Sequence, residues 1–89
     1  MKINKTAEAG AAENSDILVT VAPSEEPGIK IALSGKSVIL KQFGRQIEAL
    51  ILKTAEETGL ENAIISAKDN GALDYTIKAR VRAAIRRAV

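Results

Sequence analysis

Two stretches of this 89-residue chain repeat their apolar residues at helical spacing, each on one side only, and this limits its fold more than anything else in it. In "SVILKQFGRQIEALILKTAEETG", Leu40, Phe43, Ile47, Leu50, Ile51 and Thr54 fall on one face. Ser37 is placed to cap the start and Gly59 to follow the end, which predicts a helix over 37–58. In "ALDYTIKARVRAAIRRAV", Leu73, Ile77, Val81, Ala84, Ile85 and Ala88 share a face, which predicts a helix over 72–88. A helix with one apolar stripe is stable only when that stripe is covered by another layer.

The covering layer is legible as strands. "DILVTV" alternates, with Ile17, Val19 and Val21 on one face, and β-branching favours the extended chain. "APSEEPG" follows as a loop, and "IKIALS" alternates again through Ile29, Ile31 and Leu33. These two strands are expected to pair as an antiparallel hairpin. Upstream, Thr6–Ala12 is expected to add an edge strand, joined to Ile17–Val21 across Glu13–Asp16. "NAIISAK" fits a buried strand, closed by the turn residues Asp69, Asn70 and Gly71. The order is β-β-β-α-β-α. It predicts an α+β two-layer sandwich: a small, mainly antiparallel sheet with two helices on one face. A chain this short holds one core, so residues 1–89 form a single domain, with 1–16 as an N-terminal hairpin arm. The connection from the Ile29 strand through the first helix to the Ile64 strand is long enough for a right-handed crossover.

Composition removes several functions. Cysteine and histidine are absent, which excludes disulfides, a protein thiolate, and the commonest general base and metal ligand. No metal site and no catalytic residue is assigned, and a self-sufficient enzyme is disfavoured. Phe43 and Tyr75 are the only aromatic residues, so the core is expected to be aliphatic, with no aromatic platform for stacking. Phe43 and Gly44 read as core and close packing. The N-terminus has no apolar signal region and no run approaches membrane-spanning length, so a cytoplasmic protein without membrane association is expected. Lys78, Arg80, Arg82, Arg86 and Arg87 make the last helix basic. A solvated face ranks first for these charges, a partner or cofactor contact second, and nucleic acid last. Gly35-Lys36-Ser37 matches the tail of a phosphate-binding loop, but Lys30 stands where its first glycine belongs, and a helix start explains it better.

The tip "GAAENSDILVTVAP" is the remaining candidate. Glu13 and Asp16 flank a serine, and stabilising the turn explains the two acids better than acid–base chemistry does. A serine at a polar tip, in a domain without catalytic side chains, suits a carrier that presents a tethered group to other enzymes. A plain protein-interaction domain is the alternative.

The stretches "MKINKTAEAGAAENSDILVTVAP", "LKQFGRQI" and "KDNGALDYTIKARVRAA" together resemble the acyl carrier protein, or gamma subunit, of citrate lyase. Carriers of citramalate lyase and, more distantly, malonate decarboxylase are related. The resemblance implies a serine in the tip joined by a phosphodiester to phosphoribosyl-dephospho-coenzyme A, whose thiol carries acetyl and citryl thioesters. It implies, as partners, an alpha subunit that exchanges the acyl groups and a beta subunit that releases oxaloacetate. A transferase that attaches the prosthetic group is a third. The net process would be citrate cleavage to acetate and oxaloacetate, in citrate fermentation. At the family's modified position this chain has Asn14, which cannot form the bond, and Ser15 follows directly. Either Ser15 takes over or this chain is an unmodifiable form.

Overall fold

The computed structural model describes residues 2–89. The alternating segments become β1 (Ala7–Ala9), β2 (Ile17–Pro23), β3 (Gly28–Gly35) and β4 (Asn62–Asp69). The periodic ones become α1 (Ser37–Glu57) and α2 (Asp74–Ala88). The order β-β-β-α-β-α is the expected one. The strands form one four-stranded sheet in the spatial order β1-β2-β4-β3.

One pairing differs from expectation. β2 and β3 do not form a hairpin, because β4 lies between them, antiparallel to β2 and parallel to β3. Val21 and Ile31 both face Ile65 across the two ladders. Alternation says which face of a strand is apolar but not which strand lies beside it. Here β4 brings Ala63, Ile65 and Ala67 to the core, all but sealed from solvent, and it takes the central place with a neighbour on each side. The loop from Ser24 to Pro27 therefore steps over the end of β4. It spans two strand spacings, about 10 Å. At that end the Asn62 Oδ1 accepts the Gly28 N–H at 3.0 Å and closes the parallel pair.

Burial is one-sided. Ile17, Val19 and Val21 of β2 are fully buried under the helices, while Ile64 on the other face of β4 is 41% exposed. Both helices thus cover a single face and the fold is the expected two-layer α+β sandwich. Within α2, Ile77, Val81, Ala84, Ile85 and Ala88 are buried as their spacing predicts. Leu73 is not: it precedes the helix as its N-cap residue and stands exposed. Within α1 the buried residues are Ile47, Ile51, Thr54 and Ala55, with none before Ile47. Phe43 is 48% exposed rather than core, although Ile39, one turn earlier, packs half-buried against the core. Gly44 is not a close-packing site either. A methyl group there would meet only the Leu40 Cβ, at 3.8 Å. Ser37 opens the helix and Lys36 is the N-cap residue, without a side-chain cap bond. Thr54 is the buried polar residue of α1, and its hydroxyl donates to the Leu50 carbonyl at 2.8 Å.

The N-terminal segment is bound to the body. Ile3 is buried, and the Asn4 and Lys5 N–H groups donate to the Ala88 carbonyl at 2.8 and 3.2 Å, satisfying the end of α2. Among the described residues no helix is long and apolar enough to cross a membrane.

Candidate functional site

The segment from Gly10 to Asp16 joins β1 to β2 and forms the tip. Its path starts at Gly10, whose φ of 90° belongs to the left-handed region. A Cβ there would lie 1.9 Å from the Ile17 carbonyl oxygen, so only glycine lets the chain turn so close to the start of β2. The turn is closed by the Asp16 N–H, which donates to the Glu13 carbonyl at 3.1 Å. Asn14 and Ser15 occupy its centre, both exposed. Ser15 has a φ of 65° and is the one non-glycine residue with positive φ among the described residues. That conformation is costly for most side chains and persists where neighbours enforce it.

The neighbours are identifiable. The Ser15 N–H donates to the Asn70 carbonyl at 2.8 Å, and the Asn70 N–H donates to the Asp16 carbonyl at 2.9 Å. The turn Asp69–Gly71 after β4 thus grips the tip by its backbone on both sides of the serine peptide. Asp16 supplies a second hold. Its Oδ1 accepts from the Ile17 N–H at 2.7 Å and from the Arg80 Nε at 3.1 Å, and its Oδ2 accepts from the Arg80 Nη2 at 3.1 Å. This two-pronged guanidinium–carboxylate contact fixes geometry better than a single charge pair does. The Arg80 hydrogen bonds, followed by that from Ile17, hold the Asp16 carboxyl below its ordinary value, against a smaller opposing effect of burial.

The two acids beside Ser15 therefore have different fates. Asp16 is turn scaffolding, and Glu13 enters the turn through its backbone carbonyl. The Ser15 hydroxyl makes no hydrogen bond to the described residues. It is exposed, with no base or donor of the described residues hydrogen-bonded to it. Close by, the side-chain amide nitrogen of Asn70 is buried and has no hydrogen-bond partner. The solvent side of Ser15 is open, so a bulky substituent there would meet no described residue at its hydroxyl. Asn14, exposed beside it, offers no hydroxyl.

Sequence reasoning missed Arg80 and Asn70 as parts of the tip. Arg80 lies 64 residues from Asp16, and nothing in its helix marks it apart from the other arginines. The basic face of α2 is also less free than expected. Arg82 reaches Glu57 at 3.8 Å, and the Arg87 Nη1 donates to the Glu8 carbonyl at 2.8 Å.

Residues 4–88 match the family described as "ACP: Malonate decarboxylase delta subunit (MdcD)". Among curated proteins, the chain is 53% identical over 88 residues to the citrate lyase acyl carrier protein of Halothermothrix orenii, covering 99% of this chain and 90% of that one. It is 49% identical to that of Streptococcus mutans, covering 99% and 84%. It is 44% identical to citrate lyase acyl carrier protein 2 of Salmonella typhimurium, covering 99% and 89%.

Proposed function

The chain belongs to the citrate lyase acyl carrier protein family, and from that membership and the geometry of the tip we propose that it is the non-catalytic acyl carrier subunit of a citrate lyase complex, loaded at Ser15. The observation that carries the reading is the Ser15 hydroxyl, exposed, unbonded and held out by a braced turn. Relatives named for citrate lyase favour that complex over malonate decarboxylase as the setting.

The covalent group is phosphoribosyl-dephospho-coenzyme A, which supplies the thiol that a cysteine-free chain lacks. In the loading step, the Ser15 oxygen gives up its proton to a base of the transferase and bonds to phosphorus. The phosphoanhydride bond of an activated nucleotide donor breaks as that bond forms, and the donor's outer phosphate group leaves with the electron pair of the broken bond. The residues of this chain contribute placement. Gly10 sets the path of the tip, Asp16 and Arg80 brace it, and the Asn70 backbone holds the serine peptide. Ser15 thereby takes over from the neighbouring position held by Asn14. The partners are the alpha and beta subunits, which must both reach the tip. Carriage on one arm replaces two bimolecular encounters by tethered ones, at effective concentrations on the order of millimolar.

The test is fragment mass spectrometry of the chain co-produced with the attaching transferase. The expected result is one phosphoribosyl-dephospho-coenzyme A on Ser15, lost in Ser15→Ala and unaffected by Asn14→Ala. An unmodified chain, beside a relative loaded under the same conditions, would overturn the reading.

A further inference from the structure

The chain has one phenylalanine, one tyrosine and no tryptophan. An aliphatic core of this size has every reason to bury its few large rings. Instead Phe43 is 48% and Tyr75 71% exposed. Both line the same groove, about 940 Å³, between α1 and the first turn of α2. Ile39, Leu50 and Leu73 add to its apolar walls, and its uncharged polar groups are the Gln46 amide and the Tyr75 hydroxyl. The groove begins beside the tip: Asp69 and Gly71 line it, and Asn70 between them accepts the Ser15 N–H.

We infer that this groove receives the purine base of the nucleotide joined to Ser15. The inference rests on Ser15 being the attachment point. Two exposed rings and an aliphatic floor suit a flat aromatic ligand, which stacks on such faces without needing a particular sequence of contacts. Gln46 has the donor and acceptor pair that meets one edge of adenine with two hydrogen bonds. Lys53, Asp69 and Asp74 line the groove as well, and Asp69 is buried with its Oδ1 accepting the Ala72 N–H at 3.1 Å. The phosphodiester stays at the exposed tip with Ser15, and the uncharged base enters the groove. With the base seated, the remaining arm starts from a defined point on the carrier and has less volume to search, which raises its effective concentration at a partner's site.

The test compares the unmodified chain with the chain loaded by its transferase, loading being verified by mass, in proton NMR spectra. The expected result is a ring-current shift of the Phe43 and Tyr75 ring protons on loading, with cross-peaks to the adenine H2 or H8. Tyr75→Ala and Phe43→Ala, both at exposed positions, load normally and lose those cross-peaks. Free dephospho-coenzyme A titrated into the unmodified chain shifts the same residues, with Tyr75→Ala weakening that binding roughly 5- to 100-fold. Loaded protein whose changes stop at the tip, with both rings unaffected, overturns the inference and leaves Ser15 attachment standing. So do rings that respond only when the alpha or beta subunit is added, which makes the groove a protein-docking surface. If mass shows no loading, attachment fails, and the titration decides the groove alone. Saturable shifts at Phe43 and Tyr75 then support purine binding, and none up to about 10 mM overturns it.

Discussion

At the scale of single residues, the tip is held by a few contacts that can be tested one at a time. Gly10 and Gly71 both have φ near 90°, at 90° and 89°, but their surroundings differ. A Cβ at Gly10 would overlap the Ile17 carbonyl, whereas at Gly71 it meets nothing within 4 Å. Gly71→Ala is therefore expected to cost only the conformational penalty, about 1 kcal/mol. Gly10→Ala adds a backbone clash and is expected to cost about 3 kcal/mol or more, read as the difference in urea midpoints. Asp16 gives a pH dependence of definite sign. Its folded-state pKa lies below the ordinary 3.8, chiefly through Arg80. The stability this adds is fully present above that ordinary value and is lost as pH falls through the lower folded value. In Arg80→Ala the carboxyl returns toward its ordinary value and this part of the acid sensitivity shrinks. Carboxyl NMR titration of both proteins, with denaturation midpoints from about pH 6 down to about pH 2, checks it.

At the scale of elements, periodicity located the buried stripe of α2 and overran it at one end. Ile77 is buried and Leu73, one helical turn earlier, is 58% exposed, because the helix starts at Asp74 and its first turn borders the groove. Ile77→Ala is expected to cost about 2–5 kcal/mol by opening a core cavity. Leu73→Ala is expected to stay within about 0.5 kcal/mol. Equal losses, measured by chemical denaturation, would mean that α2 packs from its cap onward. The same overrun occurs in α1, where Leu40 and Phe43 keep helical spacing with Ile47 but are half-buried and 48% exposed. Spacing marks a face of a helix, and the length of the layer beneath it decides how much of that face is covered.

At the scale of the whole molecule, β4 is the organising strand. It pairs along its length with β2 on one side and β3 on the other, and all its inward residues are buried. Opening β4 breaks two ladders at once, while β3 and the three-residue β1 lie at the sheet edges. Native-state hydrogen exchange should therefore be slowest for β4 and the β2 amides bonded to it, and faster in β1 and along the outer edge of β3. Uniform protection over the four strands would mean that the sheet opens only by global unfolding. The same architecture places the tip. The end of β4 carries Asp69–Gly71 to Ser15, and α2 carries Arg80 to Asp16, so the presented hydroxyl depends on elements far from it in sequence.

The sequence by itself determined the element order, the apolar face of each element, the two-layer α+β class, and the polar tip with Ser15 beside Asn14. Those are local properties: alternation, helical spacing and turn composition act within a few residues of each other. Only the tertiary structure decided that β4 separates β2 from β3, that Arg80 and Asn70 brace the tip, and that Phe43 and Tyr75 meet at one exposed groove. Those depend on pairing and packing between segments distant in the chain. Many partners satisfy the same local pattern there, and burial of the whole core selects one.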